Sequence, residues 1–377
     1  IPLQGSLGAS GDLIPLASIG QAIRGLGEVY GPDDRLMPAM HMLRALELSP
    51  FEFADKDALG LVNGTSLMTA LASLAFRELT HVLDWSLHSM SALFVALRAH
   101  PSAFSTLVNE RAKSHPGQTR AAARIRELTG FLEFDFSPQR DPGHHHQNLQ
   151  DPYSIRCTPQ VMGPVLEIVE QAERVIDREI DSCNDNPLLD PDTGTIASGG
   201  NFYGGAIAMA MDQLAWAGAQ LADLMDRQIL LLMHDRTNRG LPPDLTGAAH
   251  TGSDPLAHHG LKGLHQHASA LASEIVRLAV PSSIFSRSAE SHNQDKISLG
   301  THAARNFTQQ LGLIADLTTL HAACAVQALD LRHEHTAPPL NAFRTRVREH
   351  VPFVDLDRPL RADLMRLRTA LVLANVS

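Results

Sequence analysis

Residues Thr65 to Arg98 read TSLMTALASLAFRELTHVLDWSLHSMSALFVALR, a long run of Ala, Leu, Ser and Met in which polar residues recur on one side. That pattern predicts one long helix, and the rest of the chain repeats it. Gln160 to Asp181 places apolar residues at Val161, Val165, Ile168, Val169, Ala172 and Ile176, close to the i, i+3, i+4, i+7 spacing of a helix face. Tyr203 to His234, Leu256 to Val280 and Thr301 to Leu331 predict three more long helices. A tail helix, Arg361 to Val372, follows the Pro-rich stretch around Pro338-Pro339. Between the helices lie short loops dense in Gly, Pro, Asn and Asp. Asn184-Asp185-Asn186-Pro187 and Asp190-Pro191-Asp192-Thr193-Gly194 flank the apolar pieces Leu188-Leu189 and Thr195-Ile196-Ala197, which predicts a small hairpin. No internal repeat or long low-complexity linker interrupts the chain. The expected fold class is mainly α, a bundle of long helices with function carried on the connecting loops.

The totals narrow the function. With 377 residues, 44% of them hydrophobic, the chain can bury a large core. A net charge of −10 and the lack of a dense Lys/Arg tract argue against nucleic acid as partner. The three cysteines, Cys157, Cys183 and Cys324, are too widely spaced and odd in number for a disulfide framework or a CxxC metal site, so a cytoplasmic setting is expected. The most apolar stretch, Ala206 to Met233, contains Asp212, Asp223, Asp226 and Arg227, which predicts a buried core helix rather than a membrane span. The first residues, Ile1-Pro2-Leu3-Gln4-Gly5, include no initiator Met and do not read as a signal peptide, so the chain is expected to lack an N-terminal segment.

The loop Gly5-Ser6-Leu7-Gly8-Ala9-Ser10-Gly11-Asp12-Leu13 is the most reactive stretch. Its plain reading is a glycine-rich turn before a helix, although it has neither the P-loop lysine nor a preceding strand. Ala9-Ser10-Gly11 also has a specific chemical potential. Attack of the Gly11 nitrogen on the Ala9 carbonyl, with loss of two waters, turns Ser10 into a dehydroalanine inside a five-membered ring. Gly11 suits this because an unsubstituted Cα lets its nitrogen approach closely. The ring would carry an exocyclic methylidene, an electrophile that no unmodified side chain offers.

Four other stretches each allow an ordinary reading and a chemical one. Asn63-Gly64 within Leu61-Val62-Asn63-Gly64-Thr65 is a turn signal, but a helix follows at once and no strands flank it, so the Asn63 amide could face a ligand. In Gln150-Asp151-Pro152-Tyr153-Ser154-Ile155-Arg156, an Asp-Pro turn places Tyr153 and Arg156 three residues apart, side by side if helical. Arg156 could then hold a carboxylate bidentately. Ser198-Gly199-Gly200-Asn201-Phe202 ends a hairpin ahead of a helix, and Glu290-Ser291-His292-Asn293-Gln294-Asp295-Lys296 reads as a solvated loop. Histidine-rich pieces, His144-His145-His146, His258-His259 and His265-Gln266-His267, have no metal-binding frame, so no metal site is expected.

Gly8-Ala9-Ser10-Gly11-Asp12-Leu13 followed by Pro15-Leu16-Ala17 resembles the signature of the histidine, phenylalanine and tyrosine ammonia-lyases and their aminomutase relatives, and the likeness runs nearly to the C-terminus. It implies a long-helix bundle of the histidine/phenylalanine ammonia-lyase type with a small β-hairpin. It implies one ammonia-lyase domain over 1–377, a central bundle over about 1–334 and a tail region over 335–377. It implies a methylidene-imidazolone (MIO) group formed autocatalytically from Ala9, Ser10 and Gly11, with no external cofactor. Asn63, Tyr153 and Gln150 would stand beside that group and the substrate amine, and Arg156 would bind the substrate carboxylate. Phe202, contributed by a neighbouring subunit, would pack against the substrate or the MIO.

Gln294 falls where histidine ammonia-lyases carry Glu and the phenylalanine and tyrosine enzymes carry Gln. A neutral amide suits an uncharged aromatic ring better than an imidazole. The resemblance thus implies elimination of ammonia from L-tyrosine or L-phenylalanine to a trans-cinnamate-type acid, by addition of the substrate amine to the methylidene carbon. It also implies a homotetramer with shared sites, and a β-proton base, a tyrosine, in the N-terminal segment that the chain is expected to lack. The rivals are an MIO-dependent 2,3-aminomutase, a histidine ammonia-lyase, a non-catalytic structural relative and, last, a zinc hydrolase.

Overall fold

The computed structural model describes residues 1–131, 150–254, 257–333 and 336–373. The helices are α1 (Ile14–Ile23), α2 (Ala39–Ala45), α3 (Asp57–Val62), α4 (Ser66–Ala96), α5 (Pro116–Thr129), α6 (Tyr153–Arg156), α7 (Thr158–Ile180), α8 (Gly205–Met233), α9 (Lys262–Arg277), α10 (Gly300–Arg332), α11 (Pro338–Arg348) and α12 (Arg361–Leu373). The described residues also form two antiparallel hairpins, β1 (Glu28–Tyr30) with β2 (Leu36–Pro38) and β3 (Leu188–Asp190) with β4 (Thr195–Ala197). The expected mainly α class with a small hairpin is what forms. Two stretches, Asp57–Ala96 and Gly300–Arg332, are long and apolar enough to cross a membrane. In the second, 83% of the apolar window is buried, as in the core helix of a helical domain.

The chain divides into two compact units. One comprises Ile1–Ala75, Gln171–Gln213 and Pro281–Thr308, the other Phe76–Glu170, Leu214–Val280 and Gln309–Ser377, so α4, α7, α8 and α10 each contribute residues to both. In the second unit the later turns of α4 are buried all round, which is why that stretch lacks a wide polar face. Trp85 meets Phe343 edge to face at 5.6 Å, and Phe94 stacks on Phe104 at 5.1 Å. In the first unit Met68 fills the space beside Gly204 and Gly300. A Cβ on either glycine would lie 2.1 or 2.3 Å from its sulfur, so the starts of α4, α8 and α10 meet closely there.

The long helices form within two or three residues of their sequence-based bounds, with one exception. The sequence predicts a helix over Leu256 to Val280; Leu256 lies outside the described residues, and from residue 257 onward α9 occupies only Lys262–Arg277. Asp357 accepts hydrogen bonds from the His259 and Gly260 amides at 2.8 and 3.0 Å, while the Leu261 amide donates to Asp244 O at 2.7 Å. Those amides are held in a turn, and the helix starts after them. The helices α1, α2, α3, α5 and α11 and the first hairpin were not anticipated; most are too short to show a period.

Candidate active site

The loop from Ser6 to Leu13 lies in the first unit and contains four residues with left-handed backbone: Gly8 (φ 67°), Ser10 (φ 51°), Gly11 (φ 80°) and Leu13 (φ 38°). For Ser10 and Leu13 that conformation is costly, and it persists only where the surroundings over-determine it. They do so from both sides. Upstream, the Leu299 amide donates to Leu7 O (3.2 Å) and Ser298 Oγ to Gly8 O (3.3 Å). Downstream, the Asp12 amide donates to Gly64 O (2.9 Å) and the Leu13 amide to Val62 O (3.2 Å). Among the described residues no hydrogen bond engages the Ala9 carbonyl or the Gly11 N–H.

Asp12 is fully buried and locks the same loop to α4 and α10. Its Oδ1 accepts from Ser6 Oγ (2.9 Å) and from Thr301 Oγ1, and its Oδ2 accepts from the Met68 amide (2.9 Å). Met68 is the third residue of α4, so the carboxylate satisfies one of the open donors at that helix start, where negative charge is favoured. Gly11 backs onto Gly64 so closely that a Cβ on Gly11 would sit 2.2 Å from Gly64 O and 2.4 Å from Gly64 N.

Two side-chain amides converge on Ser10. Asn63, buried at the C-terminal end of α3, has its amide orientation set by its neighbours. Oδ1 accepts from the Asn186 N–H (2.9 Å), which directs Nδ2 to the Ser10 carbonyl oxygen (2.9 Å). Gln294 Nε2 donates to Ser10 Oγ at 2.8 Å. Asn186 belongs to the loop Asn184-Asp185-Asn186-Pro187, which the sequence marks as a flank of the small hairpin. That loop is tied down by Lys56, which pairs with Asp185 Oδ2 (2.5 Å) and donates to Pro187 O. Thr65 Oγ1 adds a link to Asn184 Oδ1 (2.9 Å) and Glu179 Oε1 (2.7 Å). Asp12, Lys56, Asp185 and Asn186 were not among the sequence-based site residues. Asp12 stands inside the signature Gly8-Ala9-Ser10-Gly11-Asp12-Leu13, and the density of Asn and Asp in residues 184–186 points to Asp185 and Asn186, but such density marks turns far more often than support for a functional group.

Tyr153 and Arg156 lie in the second unit, on the single turn α6, where the Arg156 guanidinium stands 4.6 Å from the centre of the Tyr153 ring. The three-residue spacing therefore does bring them side by side. Arg156 Nε is buried and has no hydrogen-bond partner among the described residues, while the Tyr153 ring is largely exposed. The turn is fastened at both ends. Ahead of it, buried Asp151 accepts from the His100 amide (2.7 Å) and pairs with Arg239. Within it, Gln228 Nε2 donates to Ser154 O (2.8 Å) and Thr158 Oγ1 (3.2 Å). Gln228 Oε1 faces His321 Nε2 at 3.0 Å; since Oε1 can only accept, His321 carries its proton on Nε2. Burial pushes the His321 imidazole down to about 3, so it is held neutral.

Gln150 is exposed in the bend before α6, and Phe202 is half-buried in the turn ahead of α8, in the first unit. Ser10 thus bonds both Asn63 and Gln294, Tyr153 and Arg156 form a second group, and Gln150 and Phe202 stand apart from these bonds. His144, His145 and His146 fall outside the described residues. Among the described residues no three His, Cys, Asp or Glu side chains are grouped to share an ion.

The chain's relatives define its class, the carbon–nitrogen lyases that remove ammonia, and the helical units with a strained Ala-Ser-Gly loop are in keeping with it. A family model described as aromatic amino acid lyase matches residues 1–349, and the chain belongs to that family. The histidine ammonia-lyase of Aromatoleum aromaticum is 37% identical over 98% of this chain and 68% of its own length. The tyrosine ammonia-lyase of Cereibacter sphaeroides is 35% identical over 99% of this chain and 72% of its own. Among solved structures, the tyrosine aminomutase from Streptomyces globisporus superposes with a TM-score of 0.89 at 31% identity, covering 99% of this chain and 72% of that one.

Proposed function

We propose that this protein eliminates ammonia from L-tyrosine or L-phenylalanine, giving a trans-cinnamate-type acid, at an MIO group made from its own Ala9, Ser10 and Gly11. The observation that carries the reading is Ser10 in a left-handed backbone, held by Asn63 at its carbonyl oxygen and by Gln294 at its hydroxyl. The loop fits the group: the Ala9 carbonyl and Gly11 N–H, which must join, are free of hydrogen bonds among the described residues while the backbone on either side is pinned. Once formed, the group supplies an electrophile for the substrate amine.

The remaining roles belong to the chain's side chains. Arg156, whose Nε has no hydrogen-bond partner among the described residues, holds the substrate carboxylate and converts binding into orientation of the reacting bonds. Asn63, Tyr153 and Gln150 stand by the amine. Phe202, from a neighbouring subunit of a homotetramer, and Gln294 line the aromatic ring. Residues 1–377 act as one ammonia-lyase domain in the cytoplasm, without an external cofactor or metal.

Two measurements test this. Peptide mass spectrometry across residues 1–24 should show a mass lower by two waters, and an intact tripeptide would remove the electrophile. Product analysis of the full-length protein with tyrosine and phenylalanine should show the unsaturated acid and ammonia. The likeness to a tyrosine aminomutase supports a second reading, in which ammonia is returned to the β-carbon; a β-amino acid product would establish it. Urocanate from histidine would favour the histidine ammonia-lyase reading, against which the neutral amide of Gln294 stands.

A further inference from the structure

Gln294 enters the proposed function as a neighbour of the substrate ring, yet in the encoded, serine-bearing chain its amide is committed elsewhere. Gln294 Nε2 donates to Ser10 Oγ at 2.8 Å. The segment that carries it is braced for one position. Ala289 and Gln294 exchange backbone hydrogen bonds (2.9 and 3.3 Å) around a tight excursion in which Glu290, Ser291 and His292 are all left-handed, at φ 46°, 52° and 69°. Ser288 Oγ bonds His292 Nδ1 at 2.8 Å, and Asn293 Nδ2 donates to Glu290 Oε2 at 3.2 Å. Three successive non-glycine residues in that region are expensive, and such expense is met where a side chain must be aimed. What Gln294 is aimed at is the one oxygen that Ser10 has to lose.

Resting on the MIO reading above, we propose that Gln294 is a catalytic residue of the protein's own maturation, the donor that assists departure of the Ser10 hydroxyl. Ring closure forms the bond from Gly11 N to Ala9 C. The Ala9 oxygen leaves as water, with one hydrogen from Gly11 N and one from Ser10 N, and a C=N double bond remains. Dehydration then removes the Ser10 Cα proton, the Cα–H electron pair becomes the Cα=Cβ bond, and the hydroxyl leaves with the Cβ–O pair. Proton and hydroxide make the second water. Nothing is oxidised or reduced.

The two amides match the two charges that dehydration develops. Loss of the Cα proton puts charge on the Ser10 carbonyl oxygen, where Asn63 Nδ2 donates at 2.9 Å. Loss of the hydroxyl puts charge on Oγ, where Gln294 Nε2 donates. Donors already in place where charge appears lower a barrier without reorganising. Hydroxide is a poor leaving group, so the Gln294 bond governs the second water and not the first.

The test is a time course of peptide mass across residues 1–24 for the parent, Gln294→Leu and Gln294→Met, with circular dichroism and melting temperature measured on each. Met keeps the length and volume of Gln without a donor, so it guards against a packing failure in Leu. The parent should reach a mass lower by two waters. The folded variants should stall at one water, with the second loss slower on the order of a hundredfold. Variants that lose both waters as fast as the parent overturn the proposal. A parent that loses neither removes the MIO reading itself, and this proposal with it.

Discussion

Two neighbouring glycines give the most decisive prediction, because the structure assigns them opposite tolerances. Gly11→Ala would place a Cβ 2.2 Å from Gly64 O, 2.4 Å from Gly64 N and 2.6 Å from Gly64 C, at a backbone φ of 80°. All three contacts are with backbone, so no rotamer change relieves them, and the loop must retreat by roughly 1 Å to reach ordinary van der Waals separation. Retreat stretches the bonds from the Asp12 amide to Gly64 O and from the Leu13 amide to Val62 O. Each is worth about 1 kcal/mol, and the left-handed conformation adds about 1–2 kcal/mol for any residue with a Cβ. The loss of stability should therefore be about 3–4 kcal/mol, with ring closure abolished. Gly64→Ala is the control. Its Cβ would meet Asn184 Cβ at 3.5 Å and Ser66 Oγ at 4.0 Å, both ordinary contacts, so the change should stay within about 1 kcal/mol. Alanine at residue 11 still offers a peptide N–H, which makes the contrast steric rather than chemical. Hydrogen exchange at Asp12 and Leu13, with peptide mass across residues 1–24, reads both effects. A Gly11→Ala protein that matures and protects those amides as Gly64→Ala does would refute the reasoning.

Arg156→Lys should lower kcat/KM for the aromatic amino acid by about 100-fold, since a point charge replaces a planar fork on the carboxylate; unchanged steady-state kinetics would contradict that role. Asp151→Ala leaves Arg239 without its buried partner and should cost about 3–5 kcal/mol, seen as a lower melting temperature. His321 is neutral when folded, with its pKa lowered from 6.5 to about 3, whereas the unfolded chain takes up the proton below 6.5. Its contribution to stability therefore declines as pH falls from about 6.5 toward 3, reaching a cost of about 2 kcal/mol near pH 5. Parallel denaturation curves of the parent and His321→Gln at pH 7 and pH 5 should show the parent alone losing this increment.

Thr65 to Arg98 and Thr301 to Leu331 announce their helices because long stretches of good helix formers without proline favour one continuous element, and α4 and α10 form within a few residues of those bounds. Helix α9 was overestimated because nothing near Leu256 reveals that Asp357, about a hundred residues later, binds the amides that would have begun it. The pairing of Tyr153 with Arg156 was legible, being a local matter of helical spacing. Asn186 was not, because a turn that orients a distant amide looks the same in sequence as a turn that only reverses the chain.

By itself, the sequence determined the helical class and singled out Ala9-Ser10-Gly11, the tripeptide proposed to cyclise, since periodicity and the chemistry of that tripeptide are properties of neighbouring residues. Tertiary structure alone decided which amides would face Ser10. Residues 10, 63, 186 and 294 lie far apart along the chain, and only packing within the first unit brings them to hydrogen-bond distance. Whether a serine in a flexible turn becomes a reactive centre depends on that convergence. Hydrogen bonds act over about 3 Å, a scale on which sequence separation carries no information.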